Sequence, residues 1–202
     1  TDVAWALRNW TAWNWLSGGQ FVEQIVHTID GMVWSMNEQL PLAAFGSGGR
    51  AQRRDDGDVW DHYDVYFEYD HNVAAHISCR QWVGCHGEIV DRTVCEKGML
   101  VTPYRPHIQA DKRWRFRGER GNMYADTHVA FYRFLRSGTW KQTLESAANK
   151  TLVAIMGREA AHTGQRITWE QIKKSATRLV PEDLTMDTPL PPARIPRPGR
   201  AA

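Results

Sequence analysis

Hydrophobic and polar positions recur along this chain with two periods, and the switches between them divide it into three parts. From Gln20 to about Asn37 the period is helical. At about 100° per residue, Phe21, Val22, Ile25, Val26, Ile29, Met32, Val33 and Met36 share one broad face, and Pro41 stops the segment. Residues 2 to 16 read as one or two short amphipathic helices, broken by Ser17, Gly18 and Gly19. In the centre the period falls to two. "LAAFGSG" (42–48), "HYDVYFEYD" (62–70), "VAAHISCRQW" (73–82), "GEIVDRTVCEKG" (87–98) and "MLVTPY" (99–104) are rich in β-branched and aromatic residues and are separated by turns such as "DHN" and "EKG". Strands so closely joined are expected to pair antiparallel. In "DVYFEYD", Val65, Phe67 and Tyr69 fall on one face and Asp64, Tyr66, Glu68 and Asp70 on the other, so one side of the sheet is wet or meets a partner.

The last part returns to the helical period. One helix is expected from Asn122 to Leu135, ended by "RSG". A second runs from about Thr143 to His162, ended by Gly164, with Leu144, Ala148, Thr151, Leu152 and Ile155 on one stripe and alanines that allow close packing on a sheet. "ITWEQI" opens a short third helix with Thr168 as its N-cap. Beyond Pro181, the prolines 189, 191, 192, 196 and 198 predict an extended arm, which makes 1–180 the domain and 181–202 its appendage.

Composition narrows the partners. A chain of 202 residues, 42% hydrophobic, can bury a substantial core. With 25 basic against 23 acidic residues it has no general basic field, so neither nucleic acid nor an anionic membrane is an expected partner. No apolar run approaches the roughly 20 residues of a membrane span. Three cysteines, Cys79, Cys85 and Cys95, argue against a disulfide framework and favour a reducing compartment, the cytoplasm ahead of the periplasm. Ten tryptophans, crowded at Trp5, Trp10, Trp13 and Trp15, predict a surface that something covers. The chain begins at Thr1 with no signal-peptide pattern, and is expected to be processed or part of a longer protein.

The candidate chemistry lies on the 20–37 segment. Glu23 and His27 stand four apart, one turn along a helix and about 40° around it, so their heads can hydrogen-bond; Asp30 and Trp34 continue the line. A line of charges opposite an apolar stripe is commonly only a solvated face. Trp34 argues instead that this face is covered. In that case His27 is a general base near neutral pH and Glu23 the acid that orients it. Around it, "DVWDHYDV" sets Asp58, Trp60, Asp61 and His62 at the mouth of a strand, where they could contact sugar-type hydroxyls or form an ordinary polar loop. Tyr124 and His128 are four apart on a helix, either packed on the sheet or part of a site. "GSGGRA" from Gly46 fits G-x-G-x-x-A but precedes no helix, and is rejected as a nucleotide loop. His76, Cys79, Cys85 and His86 match no common zinc spacing, so no metal is expected.

Two segments carry a resemblance. "LRNWTAWNWLSGGQFVEQIVHTIDGMVW", with its GGxxxEQxxH pattern, and "LRSGTWKQTLESAANKTLVAIMGREAAHTGQRITWEQI", with TLxAIMGREAAxTG, together resemble the C-terminal domain of the Gfo/Idh/MocA oxidoreductases over about Ala4 to Gly199. That resemblance implies an α+β fold, an open and predominantly antiparallel β-sheet with helices on one face. It also implies an N-terminal Rossmann domain, absent here, that holds NAD or NADP, so no cofactor is expected on this chain alone. A small carbohydrate substrate would lie between the domains, with homo-oligomers forming through the open sheet face. The family's D-x-x-x-H segment corresponds to Glu23–His27, with Glu in place of Asp. His27 would take a proton from a sugar or polyol hydroxyl, with Asp30, Asp61, His62, Arg80 and His128 as substrate contacts. Two other readings stay open: an NAD-dependent glycosidase of the same family, and a cofactor-free sugar-binding or assembly domain.

Overall fold

The computed structural model describes residues 1–102, 104–119, 121–139 and 143–199. Pro103 of the expected fifth strand, residues 140–142 of the second resembling segment and the last three residues of the tail lie outside the described residues. The chain divides into two compact units, Thr1–Cys85 with Ala147–Ala202, and His86–Ser146. Its secondary structure is α+β, with two four-stranded antiparallel sheets, neither of them closed.

In the first unit, helix α1 (Asp2–Arg8), a 3-10 turn (Trp10–Ala12) and helix α2 (Asn14–Ser17) precede the two glycines, as the pattern predicted. The expected single helix from Gln20 is two, α3 (Gln20–Glu23) and α4 (Val26–Ser35). The break is one widened turn: the Ile25 amide reaches back five residues to the Gln20 carbonyl at 3.4 Å, while that of His27 reaches back only three, to Gln24. Such a bulge leaves the apolar face intact, with Phe21, Ile29 and Val33 fully buried, but moves polar residues on either side of it out of register.

Strands β1 (Ala43–Gly49), β2 (His62–Glu68) and β3 (Ala74–Arg80) follow as hairpin neighbours. A short β8 (Ile167–Thr168), which sequence reasoning absorbed into its third helix, pairs with β1 to give the order β3-β2-β1-β8. The alternation on β2 is realised: Tyr63, Val65 and Phe67 are buried, while Asp64 and Tyr66 face out. Against the buried face lie α4 and the C-terminal half of α6 (Leu144–Thr163), with α7 (Trp169–Lys173) contributing Ile172. The stripe expected on α6 is corrected. Leu144 is exposed, Leu152 and Ile155 are half-buried against the core, and the buried residues are Val153, Ala154, Met156, Gly157, Arg158, Ala160 and Ala161. A Cβ on Gly157 would sit 2.6 Å from Phe21 Cε1 and 2.9 Å from Phe67 Cζ, so the glycine sets how closely helix and sheet approach. Thr168 caps α7 in a full capping box with Gln171.

Residues 181–199 form no helix or strand and are tied to the first unit at three points. The Leu190 amide donates to Asp2 Oδ2 at 3.1 Å, Trp60 Nε1 to the Pro196 carbonyl at 3.2 Å, and the Gly199 amide to the Thr163 carbonyl at 3.0 Å. Leu190 and Ala193 pack on Ala6, Ala12 and Trp13. The second unit holds β4 (Asp91–Cys95), β5 (Gly98–Thr102), β6 (His107–Gln109) and β7 (Trp114–Arg115) in that order, and helix α5 (Met123–Ser137), capped by Asn122 and ended by a left-handed Gly138. No described helix is long and apolar enough to cross a membrane.

Candidate functional site

The polar residues of the 18–25 segment are positioned by the turn before them. Gly18 ends α2 in the left-handed region at φ 77°, and Gly19 follows at φ 80°, where a Cβ would stand 2.6 Å from Asn14 Oδ1. Arg158 of α6, almost fully buried, donates to the Gly18 carbonyl at 3.0 Å and holds Glu159 Oε1 at 2.7 Å. The two segments that carry the sequence resemblance therefore meet here, through Arg158 on Gly18 and Gly157 under Phe21.

Beyond the turn, Gln20, Glu23 and Gln24 line one wall of a cleft of about 230 Å³. Arg53 and Gln81 line the other, and Trp10 stands at its edge. Glu23 accepts a hydrogen bond from Gln24 Nε2 at 2.5 Å. Gln20 is 7% exposed, and its Oε1, closed off from solvent, has no hydrogen-bond partner among the described residues.

Asp61 builds the opposite wall. It is 1% exposed and accepts from the amides of Ala51, Gln52 and Arg53 at 2.7–3.0 Å, from His62 Nδ1 at 2.9 Å and from Trp82 Nε1 at 3.0 Å. Burial by itself would raise its pKa. The hydrogen bonds from His62, Trp82 and the backbone prevail and hold the carboxyl well below the usual carboxylate range, so it is ionised at every ordinary pH. An ionised Asp61 obliges His62 to carry its proton on Nδ1, which leaves Nε2 of the neutral ring as an acceptor. The ring is held edge-on by Trp82 at 5.2 Å, over which Arg80 also lies at 5.3 Å.

The structure thus brings some predicted site residues together and separates others. Asp61, His62 and Arg80 converge around Trp82, which sequence reasoning passed over. Both Asp61 oxygens are taken by protein donors, so it can act on a ligand only by orienting His62. Glu23 lines the cleft. His27 is exposed, lies outside the cleft's lining and is not hydrogen-bonded to Glu23: the widened turn at Gln24–Ile25 removes the one-turn register that the expected pairing needs. Asp30 is exposed and ion-paired with Lys150 Nζ at 2.6 Å, where it ties α4 to α6. His128 is exposed on α5 of the second unit. Gln20 and Gln24 were legible, since with Glu23 they stand at i, i+4 and i+3 on one helical face. Arg53, Gln81 and Trp82 were not, because their place depends on how a loop and a strand end fold around Asp61.

Among the described residues no three His, Cys, Asp or Glu side chains converge as a metal site. The GSGGRA stretch forms no cradle for a dinucleotide. The glycines of "GSGGRA" lie within β1, where Gly46 pairs with Val65 and Gly48 with Tyr63, and none opens a helix.

No protein-family model and no curated protein sequence matches the chain. Solved structures do, at the level of fold. A Thermotoga maritima protein assigned as an oxidoreductase aligns over 78% of this chain and 49% of its own, with 20% identity and a TM-score of 0.64. An aldose-aldose oxidoreductase from Caulobacter crescentus, complexed with glycerol, aligns over 79% and 50% with 13% identity and a TM-score of 0.64. The WlbA dehydrogenase from Bordetella pertussis, in complex with NADH and UDP-GlcNAcA, aligns over 79% and 48% with 15% identity and a TM-score of 0.54. The chain therefore has the fold of one part of several oxidoreductases and spans about half the length of the solved structures it matches.

Proposed function

We propose that this chain is the substrate-side half of an NAD(P)-dependent oxidoreductase of the Gfo/Idh/MocA type that acts on a sugar or polyol hydroxyl. The observation that carries the reading is the cleft itself. A carboxylate, Glu23, shares it with the amide groups of Gln24 and Gln81 and the guanidinium of Arg53, and this mixture of acceptors and donors suits a ligand bearing several hydroxyls. At about 230 Å³ it is smaller than the roughly 300–1,000 Å³ of a complete ligand pocket, which agrees with a site whose other wall is a Rossmann domain. The exposed Trp5, Trp10 and Trp34 would be covered by that domain, and Phe45 and Tyr66, on the outer face of the first sheet, by a second subunit.

This chain's part in the reaction is confined to the substrate. Gln24 and Gln81 bond the hydroxyls that do not react, and Arg53 orients them. His27, solvent-facing and unpaired, receives the proton of the reacting hydroxyl, with Glu23 beside it as the carboxylate that stabilises the imidazolium. Catalytic hydrogen bonds are often loose without substrate and tighten when it binds. His62, oriented by Asp61, offers Nε2 to a substrate hydroxyl, and Arg80 and Asp30 are the remaining proposed contacts. A nicotinamide held on the other domain would accept hydride.

The test is an assay of the full-length gene product with NAD and NADP against a panel of sugars, polyols and a chromogenic glycoside. Glu23→Gln and His27→Gln are each expected to lower kcat about 10²–10⁴-fold. Loss of that size in Glu23→Gln with none in His27→Gln transfers the base role to Glu23, and absence of any pyridine-nucleotide turnover rejects the reading.

A further inference from the structure

A second cleft, of about 380 Å³, opens between the loop after β1 and the C-terminal arm. Arg50, Arg53, Arg54 and Arg197 line it, with the Trp60 ring as one wall. Four arginines border one cleft, and among the described residues the carboxylate paired with any of them is that of Asp55. The four divide into two kinds. Arg50 bonds the carbonyls of Gly57 and Asp55 and reaches Asp55 Oδ1 at 2.9 Å; Arg53 bonds Asp55 Oδ2 at 2.5 Å and the Thr11 carbonyl at 3.1 Å. These two hold the loop in shape. Arg54 and Arg197 are exposed and make no ion pair or hydrogen bond with any described residue. Arg197 is nonetheless held in place, because the arm is pinned on either side of it, at Pro196 by Trp60 Nε1 and at Gly199 by the Thr163 carbonyl. The cleft thus has its arm backbone fixed on either side of Arg197, falls within the volume range of a small-molecule site, and carries two guanidiniums unpaired among the described residues.

We propose that this cleft binds the phosphate or diphosphate group of a small phosphorylated compound, gripped by Arg54 and Arg197. Planar guanidiniums bind phosphate oxygens through paired, charge-assisted hydrogen bonds, which neutral hydroxyls cannot match. The claim is independent of the oxidoreductase reading and is tested by binding alone.

The full-length protein is titrated calorimetrically with inorganic pyrophosphate, glucose 1-phosphate and glucose. Saturable binding of the two phosphates but not of glucose is expected, weakening as sodium chloride is raised. Arg54→Gln and Arg197→Gln should each weaken pyrophosphate binding about tenfold or more, and Arg54→Lys less than Arg54→Gln. Both side chains are exposed, so unfolding midpoints should match the parent and separate lost binding from lost folding. Tighter binding of glucose 1-phosphate than of pyrophosphate makes the ligand an organic phosphate. Binding of neither at millimolar concentration, binding indifferent to both substitutions, or tighter capture of a DNA duplex than of either phosphate overturns the proposal.

Discussion

Burial, neighbouring charge and hydrogen bonds move single side chains in this protein far from their ordinary behaviour. His162 is the clearest case. It lies under Trp60 at 4.6 Å between ring centres, and its Nε2 is 3.0 Å from the Tyr63 hydroxyl. Burial first, and the nearby Arg158 charge second, pull its pKa down to about 3. The unfolded chain, with an ordinary histidine near 6.5, binds a proton between these values that the folded state refuses. The stabilisation is therefore complete above about pH 6.5 and lost as pH falls, by about 1.4 kcal/mol per pH unit until about pH 3. Denaturant melts from pH 7 to pH 4 should show this slope in the parent and a shallower one in His162→Gln; equal slopes would assign the acid sensitivity elsewhere. Asp61 shows the same rule in a carboxylate. Its position beside His62 at a strand mouth was readable, but the five donors that occupy it were not, since three are amides of a loop whose path no local pattern specifies.

At the scale of elements, periodicity located the helices and strands β1 to β5, missed the two- and three-residue strands β6, β7 and β8, and failed at one turn. Between Glu23 and His27 the apolar face runs on unbroken, so the pattern reads as one helix. The extra residue at Gln24–Ile25 is invisible because it displaces only polar positions, whose order the core does not select. The same blindness misplaced the buried side of α6, which centres on Val153, Met156, Gly157 and three alanines, with Leu152 and Ile155 at its margin and Leu144 exposed. That close approach is testable. Gly157→Ala gains about 0.5–1 kcal/mol of helix propensity but forces a methyl group against Phe21 and Phe67, and overpacking of this kind costs about 1–3 kcal/mol. The net is expected to be a loss of about 1–2 kcal/mol, read as a Tm lower by about 3–6 °C. A Tm that rises instead would mean that the rings yield freely.

For the whole molecule, the arm is what local reasoning treats as an accessory and the tertiary structure uses as a brace. Removing residues 187–202 should uncover Trp13, Ala6 and Ala12 and leave Trp60 Nε1 unpaired. A loss of about 2–4 kcal/mol in urea melts, with a red-shifted tryptophan emission, is expected. A truncated chain with parental stability would make the arm dispensable. The chain's own order of residues determined the α+β class, the antiparallel hairpins of the first sheet, the buried side of β2, the helix caps at Asn122 and Thr168, and the glycine turn that opens the candidate site. Each of these rests on near neighbours in sequence, whose sterics and periodicity act within a few residues. Only the tertiary structure decided that Glu23 faces a cleft while His27 does not, that Asp61 is a buried anchor, that Arg158 joins two segments 140 residues apart, and that the arm closes over an arginine cleft. Those arrangements come from contacts between distant parts of the chain, and the packing that selects them leaves no period along it.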